Sequence, residues 1–280
     1  MNSKTWMLIS VLSFCIMAIG VKEMSQEINS FQIIFFRSLI GLLVLSIFFK
    51  KRLKKPTFSI IKAHLFRNIF HLFGQYGWIL GIVYLSLAEV TAIEFSVPIW
   101  ILLIATIFLK EKLNSLKIIS IVLGFTGVLF ILRPGLELIS TNSIIVLLSA
   151  ISYAIAHTST KKLTKNYSSL DIVFLMCLIQ IPISFCFVLV NWSTPGFIDS
   201  FWLVIVGISA ITAHFTMAEA MKNDDISSII SLDYFRLPIL IIIGIVIYDE
   251  EFKYVYLIGG TLIFIGNWIT KKKPKPTHLN

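Results

Sequence analysis

Residues 88–111 read AEVTAIEFSVPIWILLIATIFLKE. At 1.5 Å per residue, about 20 apolar residues cross the hydrocarbon core, so this stretch is long enough to span a bilayer as one helix. It nevertheless carries Glu94 and Pro98 well inside, with Glu89 near its start. A carboxylate at that depth costs ~2.5 kcal/mol or more on insertion scales, so it faces a partner or a wet cavity. Pro98 has no N–H to give to the carbonyl four residues back, which is that of Glu94 itself. A charge and a freed carbonyl at one point read as a functional break in a membrane helix.

The second half repeats the arrangement. Residues 231–251, SLDYFRLPILIIIGIVIYDEE, place Asp233, Arg236 and Pro238 in another apolar run that ends in acid. The interval from Pro98 to Glu111 equals that from Pro238 to Glu251. The two prolines are half a chain apart (238 − 98 = 140, of 280 residues). A fixed shift of this kind marks a duplicated unit.

Composition agrees. With 57% hydrophobic and 14% charged residues and a mean hydropathy of +0.88, the chain is too apolar for a soluble domain and belongs to the polytopic membrane class. The net charge of +9 fits membrane orientation better than nucleic-acid binding, because no basic stretch is interleaved with a soluble fold. Cys15, Cys177 and Cys186 show no metal or redox spacing and read as packing residues. No metal site or cofactor is expected.

Apolar runs separated by charge or turn residues predict ten spans, near 5–22, 30–49, 63–84, 88–109, 116–132, 142–160, 170–190, 198–220, 226–248 and 254–270. The first is read as a span rather than a cleaved signal, because it completes the repeat. With the N-terminus inside, 18 of the 24 Lys and Arg residues fall in cytoplasmic segments and three (Lys22, Arg133 and Lys253) in outer ones. That bias puts both termini in the cytoplasm. Five spans per half then make two repeats, 1–138 and 139–280, that enter the membrane from opposite sides. Inverted repeats are the mark of alternating-access transporters, whose substrate site lies near the midplane beside the interrupted helices.

The candidate site residues follow from depth and spacing. On the third span, Arg67, His71, Gln75 and Trp78 share one helical face at intervals of three and four. His64 there is expected to snorkel to the cytoplasmic interface, and Arg67 either to snorkel or to face the interior. Gly77 and Gly81 permit close helix packing. Glu94 is read either as a structural partner of Arg67 or Arg236, or as a substrate contact or proton-coupling carboxylate. Asp233 and Arg236, three apart, pair with each other or reach a ligand. Tyr153, His157, His214 and Trp100, the last one turn from Glu94, complete the set. Arg37 is either snorkelling or lumen-facing, and Glu89 is interfacial. The deep charges Arg37, Arg67 and Arg236 outnumber Glu94 and Asp233 by one, which favours an anionic or zwitterionic metabolite.

The stretches LAEVTAIEFSVP (87–98), with its helix ending in Lys110 and Glu111, GFTGVLFILRPG (124–135) and LDYFRLP (232–238), in this order, resemble the EamA family of the drug/metabolite transporter superfamily over essentially the whole chain. The resemblance implies an all-α integral membrane protein of ten helices in two inverted five-helix repeats, a central cavity, and export or uptake of small metabolites. Glu94 and Arg236 depart from the family's general pattern, so no member's specificity is carried over. The function expected is that of a secondary active transporter in the cell inner membrane, driven by a substrate or proton gradient, as a monomer or homodimer. A lipid-linked flippase is the alternative. An intramembrane enzyme is a third reading, weakened by the absence of HExxH and GxSxG motifs.

Overall fold

The computed structural model describes residues 2–24, 28–55, 57–108, 115–132, 140–223 and 231–270. Within these the chain is helical, without strands. The helices are α1 (Ser3–Met24), α2 (Ser30–Phe49), α3 (Phe58–Tyr84), α4 (Leu87–Glu94), α5 (Val97–Phe108), α6 (Ser115–Leu132), α7 (Thr141–Leu163), α8 (Ser169–Val188), α9 (Phe197–Asn223), α10 (Arg236–Tyr248) and α11 (Tyr254–Thr270). Short 3-10 turns at Lys50–Arg52 and Ser231–Phe235 follow α2 and precede α10. The expected helix end at Lys110 and Glu111, the motif residues 133–135, the start of the ninth span at 226–230 and the terminal lysines at 271–275 lie outside the described residues.

Most helix starts are written in the local sequence. Asn29, Thr57, Ser86, Ser140 and Ser168 each accept a hydrogen bond from a backbone N–H of the first turn that follows, which satisfies donors that would otherwise be orphaned. Ser168 and Asp171 complete a reciprocal capping box. The Thr57 cap starts α3 at Phe58, five residues ahead of the expected start at 63, and this moves His64 deeper into the helix than its sequence position suggests.

Among the described residues, six helical segments are long and apolar enough to cross a membrane: Ser3–Met24, Ser30–Arg52, Leu87–Ile104, Thr141–Leu163, Ser169–Val188 and Phe197–Lys222. Ile118–Leu132, Arg236–Tyr248 and Tyr254–Gly266 are shorter apolar helices. The 27-residue α3 is long enough but too polar, and the reason is its packing. His64, Arg67, Asn68, His71 and Gln75 are all buried against neighbouring helices, so their side chains face protein rather than lipid. The outer faces carry the opposite chemistry, with Ile47, Phe48, Val190, Phe197 and Val246 exposed. Apolar side chains outside and polar ones inside is the pattern of a helical bundle in lipid.

The helices pack as cross-half pairs: α1 on α9, α2 on α8, α3 on α7, α4 on α10 and α6 on α11. The α3–α7 contact is close because Gly74 receives the Tyr153 ring and Gly77 faces Ser149 and the backbone of Ile145, so a Cβ there would crowd each at about 3 Å. The Ser149 hydroxyl donates to the Gly74 carbonyl across the same seam. At α6–α11 the backbones of Gly127 and Gly259 nearly touch: a Cβ on either glycine would meet the other's carbonyl oxygen.

One end of the bundle is tied by polar groups. The Lys22 ammonium donates to the carbonyls of Ile82 (3.2 Å) and Leu85 (3.1 Å) and pairs with Glu250 at 3.3 Å. Glu250 in turn accepts from the Leu87 N–H at 2.9 Å, so a carboxylate from the end of α10 sits on the positive N-terminus of α4. Asp249, in the left-handed conformation (φ 50°), makes the turn that delivers it. Nearby Glu89 accepts from Ser143 (2.8 Å) and Tyr256 (2.9 Å) and joins three helices.

Candidate functional site

Two helix interruptions meet in the interior. Helix α4 ends at Glu94 and α5 begins at Val97, with Phe95 and Ser96 turning between them. Pro98 is the second residue of α5, where a missing N–H carries little penalty. Likewise α10 begins at Arg236 after its 3-10 turn, with Pro238 in its first helical turn. Each expected span is thus two segments, and the charged residues stand at the joins.

Arg236, 3% exposed, holds the joins together. One guanidinium nitrogen lies 3.1 Å from Glu94, and the other pairs with Asp233. The Trp78 indole donates to the same Glu94 oxygen at 3.1 Å, and Phe14 lies under the guanidinium at 5.2 Å. Of the two partners weighed for Glu94, Arg236 is the one it meets. The cluster carries two acids and one base. It borders a cavity of about 20 Å³ with His157, Pro98 and Met217, room for about one water.

A second cluster occupies the middle of α3. Arg67 donates to Thr160 (3.0 Å) and Asn68 (2.8 Å). Arg37, on α2, donates to the Gln180 carbonyl oxygen at 2.8 Å, which leaves the Gln180 amide N–H to donate to Nδ1 of His71 at 3.1 Å. His71 therefore carries its proton on Nε2. Among the described residues neither arginine has a carboxylate within 4.0 Å. Arg37 Nε, His71 Nε2, His214 Nε2 and both amide atoms of Gln75 are buried without a hydrogen-bond partner.

A run of rings joins the two clusters. His157 stacks on Tyr153 at 5.7 Å, Tyr153 meets His71 edge-on at 5.6 Å, His71 meets His214 at 4.6 Å, and His214 meets Phe14 at 5.3 Å. Glu94, Asp233, Arg236, His71, Tyr153, His157 and His214 are thus linked in one run, with Arg67 and Gln75 buried one turn to either side of His71 on α3. Trp100 does not join it. Its indole donates to Ser96 (3.0 Å) and packs on Phe125 (5.2 Å), away from Glu94. His64 does not snorkel either: it is fully buried, edge-on to Tyr167 at 4.6 Å. Arg67 and Arg37 face protein, at 3% and 4% exposure. Gln180 and Asn68 carry no charge, and no sequence signal set them apart. Cys15 and Cys177 are buried and Cys186 is exposed, all three as free thiols.

Comparison with known proteins places the chain in a family. The sequence model of the EamA-like transporter family matches residues 3–133 and again 141–271. An S-adenosylmethionine uptake transporter of Rickettsia bellii is 26% identical over 248 residues, 88% of this chain and 84% of that protein. An uncharacterized transporter of Helicobacter pylori is 27% identical over 267 residues, covering 91% and 90%. A riboflavin transporter of Vibrio cholerae is 25% identical over 228 residues, covering 73% and 76%. A protein of known crystal structure shares the fold with a TM-score of 0.69 at 13% identity, over 96% of each chain. The family and its named members are transporters, not enzymes. Two successive matches, which together take in nearly all of the sequence, make this multi-pass membrane protein a member of the EamA-like transporter family.

Proposed function

We propose that this chain is a secondary active transporter that moves a small anionic or zwitterionic metabolite across the cell inner membrane by alternating access. The observation that carries the reading is the meeting of two interrupted helices at Glu94, Asp233 and Arg236, inside a buried polar layer. Broken helices at midplane depth are where such proteins bind their cargo. The ten spans are α1, α2, α3, α4 with α5, α6, α7, α8, α9, the 3-10 turn with α10, and α11, with both termini cytoplasmic.

The pairing of helices supports two inverted repeats, 1–138 and 139–280. If span n corresponds to span n + 5, the pairs formed by α2–α8, α4–α10 and α6–α11 each map onto themselves. The pairs α1–α9 and α3–α7 exchange with one another. Such closure under exchange is what a two-fold axis between the halves requires. The site lies on the surfaces the halves share, so their relative rocking opens it to one side at a time. The cavity beside Glu94 holds only about 20 Å³, so a metabolite needs the halves to part.

Relatives that carry S-adenosylmethionine and riboflavin support a metabolite as cargo, and S-adenosylmethionine has the amino-acid headgroup of a zwitterion. The test is uptake of a mixed metabolite pool into proteoliposomes, read by mass spectrometry with and without a pH gradient. Enrichment over empty liposomes names the cargo, and dependence on the gradient assigns protons as the coupling ion. No enrichment with folded protein would sink the proposal. The flippase reading draws on one observation, an apolar groove of about 290 Å³ between α10 and α11 lined by Phe235, Leu237, Pro238, Leu257 and Phe264. Scrambling of a labelled lipid without metabolite uptake would favour it.

A further inference from the structure

We infer that Arg37 and Arg67 form a carboxylate subsite for the transported molecule, separate from the Glu94–Asp233–Arg236 cluster, which takes the molecule's cationic end. The inference rests on the transport reading above and narrows its substrate class to zwitterions whose carboxylate and cationic group stand apart, such as a carboxylate with a distal ammonium or sulfonium.

The two clusters differ in charge. Around Arg236 there are two carboxylates and one guanidinium, a net charge of −1. Around His71 there are two guanidiniums and, among the described residues, no carboxylate within 4.0 Å of either. Arginine stays protonated in proteins, so the second cluster is a buried net +2 held by the neutral acceptors Gln180, Thr160 and Asn68. A buried cation without a counter-charge is costly, and packing alone would be served by an apolar residue.

The groups left unsatisfied there identify the missing partner. Arg37 Nε and His71 Nε2 are donors that meet no acceptor, and the Gln75 amide, one turn further along the same helical face, can present either its N–H or its oxygen. A net positive pocket with unmatched donors suits an oxyanion better than a cation. The planar fork of arginine matches the two oxygens of a carboxylate. His157, which borders the cavity beside Glu94, connects to His71 through the single ring of Tyr153. Two ring contacts, of 5.7 and 5.6 Å, thus separate the two charge centres, an arrangement complementary to a molecule with a carboxylate at one end and an ammonium or sulfonium set apart from it.

The experiment uses proteoliposomes holding the full chain, supplied with a pool of the amino acids, S-adenosylmethionine, the carboxamide of each, phosphate esters and riboflavin. Wild-type protein is expected to enrich one or more carboxylate compounds at least ~30-fold over the matching carboxamide, which is about 2 kcal/mol of discrimination. Arg37→Gln and Arg67→Gln, checked for folding by gel filtration and thermal melting, are expected to lower that ratio to ~3-fold or less. A purely structural role would reduce both forms equally and leave the ratio unchanged, and this result would overturn the inference. Should the Gln variants not fold, Arg37→Lys and Arg67→Lys keep the charge without the fork and are expected to drop the ratio by roughly tenfold. An unchanged ratio there overturns it equally. Enrichment of riboflavin or phosphate esters alone refutes the carboxylate assignment and leaves transport standing. No enrichment of any compound by folded wild type removes the transport reading, and the subsite with it.

Discussion

Replacing Arg236 by Met tests whether the charge cluster at the helix joins is shielded from water. Arg236 is 3% exposed and contacts Glu94 at 3.1 Å and Asp233 on its other nitrogen. At an effective dielectric of about 20, each contact is worth roughly 4 kcal/mol of gross Coulomb attraction. Desolvation cancels part of this, but loss of one member of a buried pair leaves its partners uncompensated and costs roughly 3–5 kcal/mol. Here two carboxylates would remain, with Phe14 below and a cavity of about 20 Å³ beside them. At the ~2 °C per kcal/mol of the larger single-domain proteins, melting of the purified protein should fall by about 6–10 °C. The triple variant Arg236→Met, Glu94→Gln, Asp233→Asn removes all three charges and should recover more than half of the loss. If Arg236→Met melts within ~1 °C of wild type, water reaches the cluster and the shielding argument fails.

Three further outcomes are expected. Glu94→Gln should lower uptake of the enriched metabolite at least ~10-fold while leaving folded yield and gel-filtration profile intact, since Arg236 keeps Asp233 and the Trp78 indole can still donate to the amide oxygen; normal kinetics would remove Glu94 from the site. Gly74→Ala should cost about 1–3 kcal/mol of stability by overpacking, because the new methyl meets the Tyr153 ring at 2.9 Å, and Tyr153→Leu in the same chain should offset part of that cost in a melting experiment. Lys22→Met should loosen the tie that joins Glu250, Leu85 and Ile82. A cysteine placed at Ser86 should then react with a membrane-impermeant maleimide at least ~3-fold faster than in the Lys22 background, and an equal rate would show that this tie does not govern access.

What the sequence could reveal depended on whether a residue's meaning was local. Glu94, Pro98, Arg236 and Pro238 stand out because each violates the chemistry of an apolar run, and the structure has breaks in the helices at those points. The partner of Glu94 was one of two arginines on paper, and only tertiary packing selects Arg236. Trp100 counts as a near neighbour of Glu94 in the linear sequence, but six residues are about 1.7 turns of a continuous helix, which already puts the two on different faces. The turn at Phe95 and Ser96 resets the helical phase and sends the indole to Ser96 and Phe125. His64 looked interfacial because the start of its span was set by apolar content, whereas the Thr57 cap begins the helix earlier. The Arg37–Gln180–His71 link joins α2, α8 and α3 through a neutral amide. Nothing in a linear pattern distinguishes such a glutamine from one that is merely tolerated.

The polarity of α3 has a consequence for how the protein is made. Arg67 alone opposes insertion of an isolated helix by ~2.5–3.5 kcal/mol near its centre, and His64, Asn68, His71 and Gln75 add to this on the same side. Their surroundings in the finished bundle come from α2, α7 and α8, and α7 and α8 leave the ribosome only after α3 is complete. During synthesis α3 must therefore wait at the edge of the translocon, or lie at the lipid surface, until Thr160 and Gln180 arrive to receive it. The helix that contributes most to the polar interior is thus the one whose place in the bilayer is decided late, by its neighbours rather than by lipid.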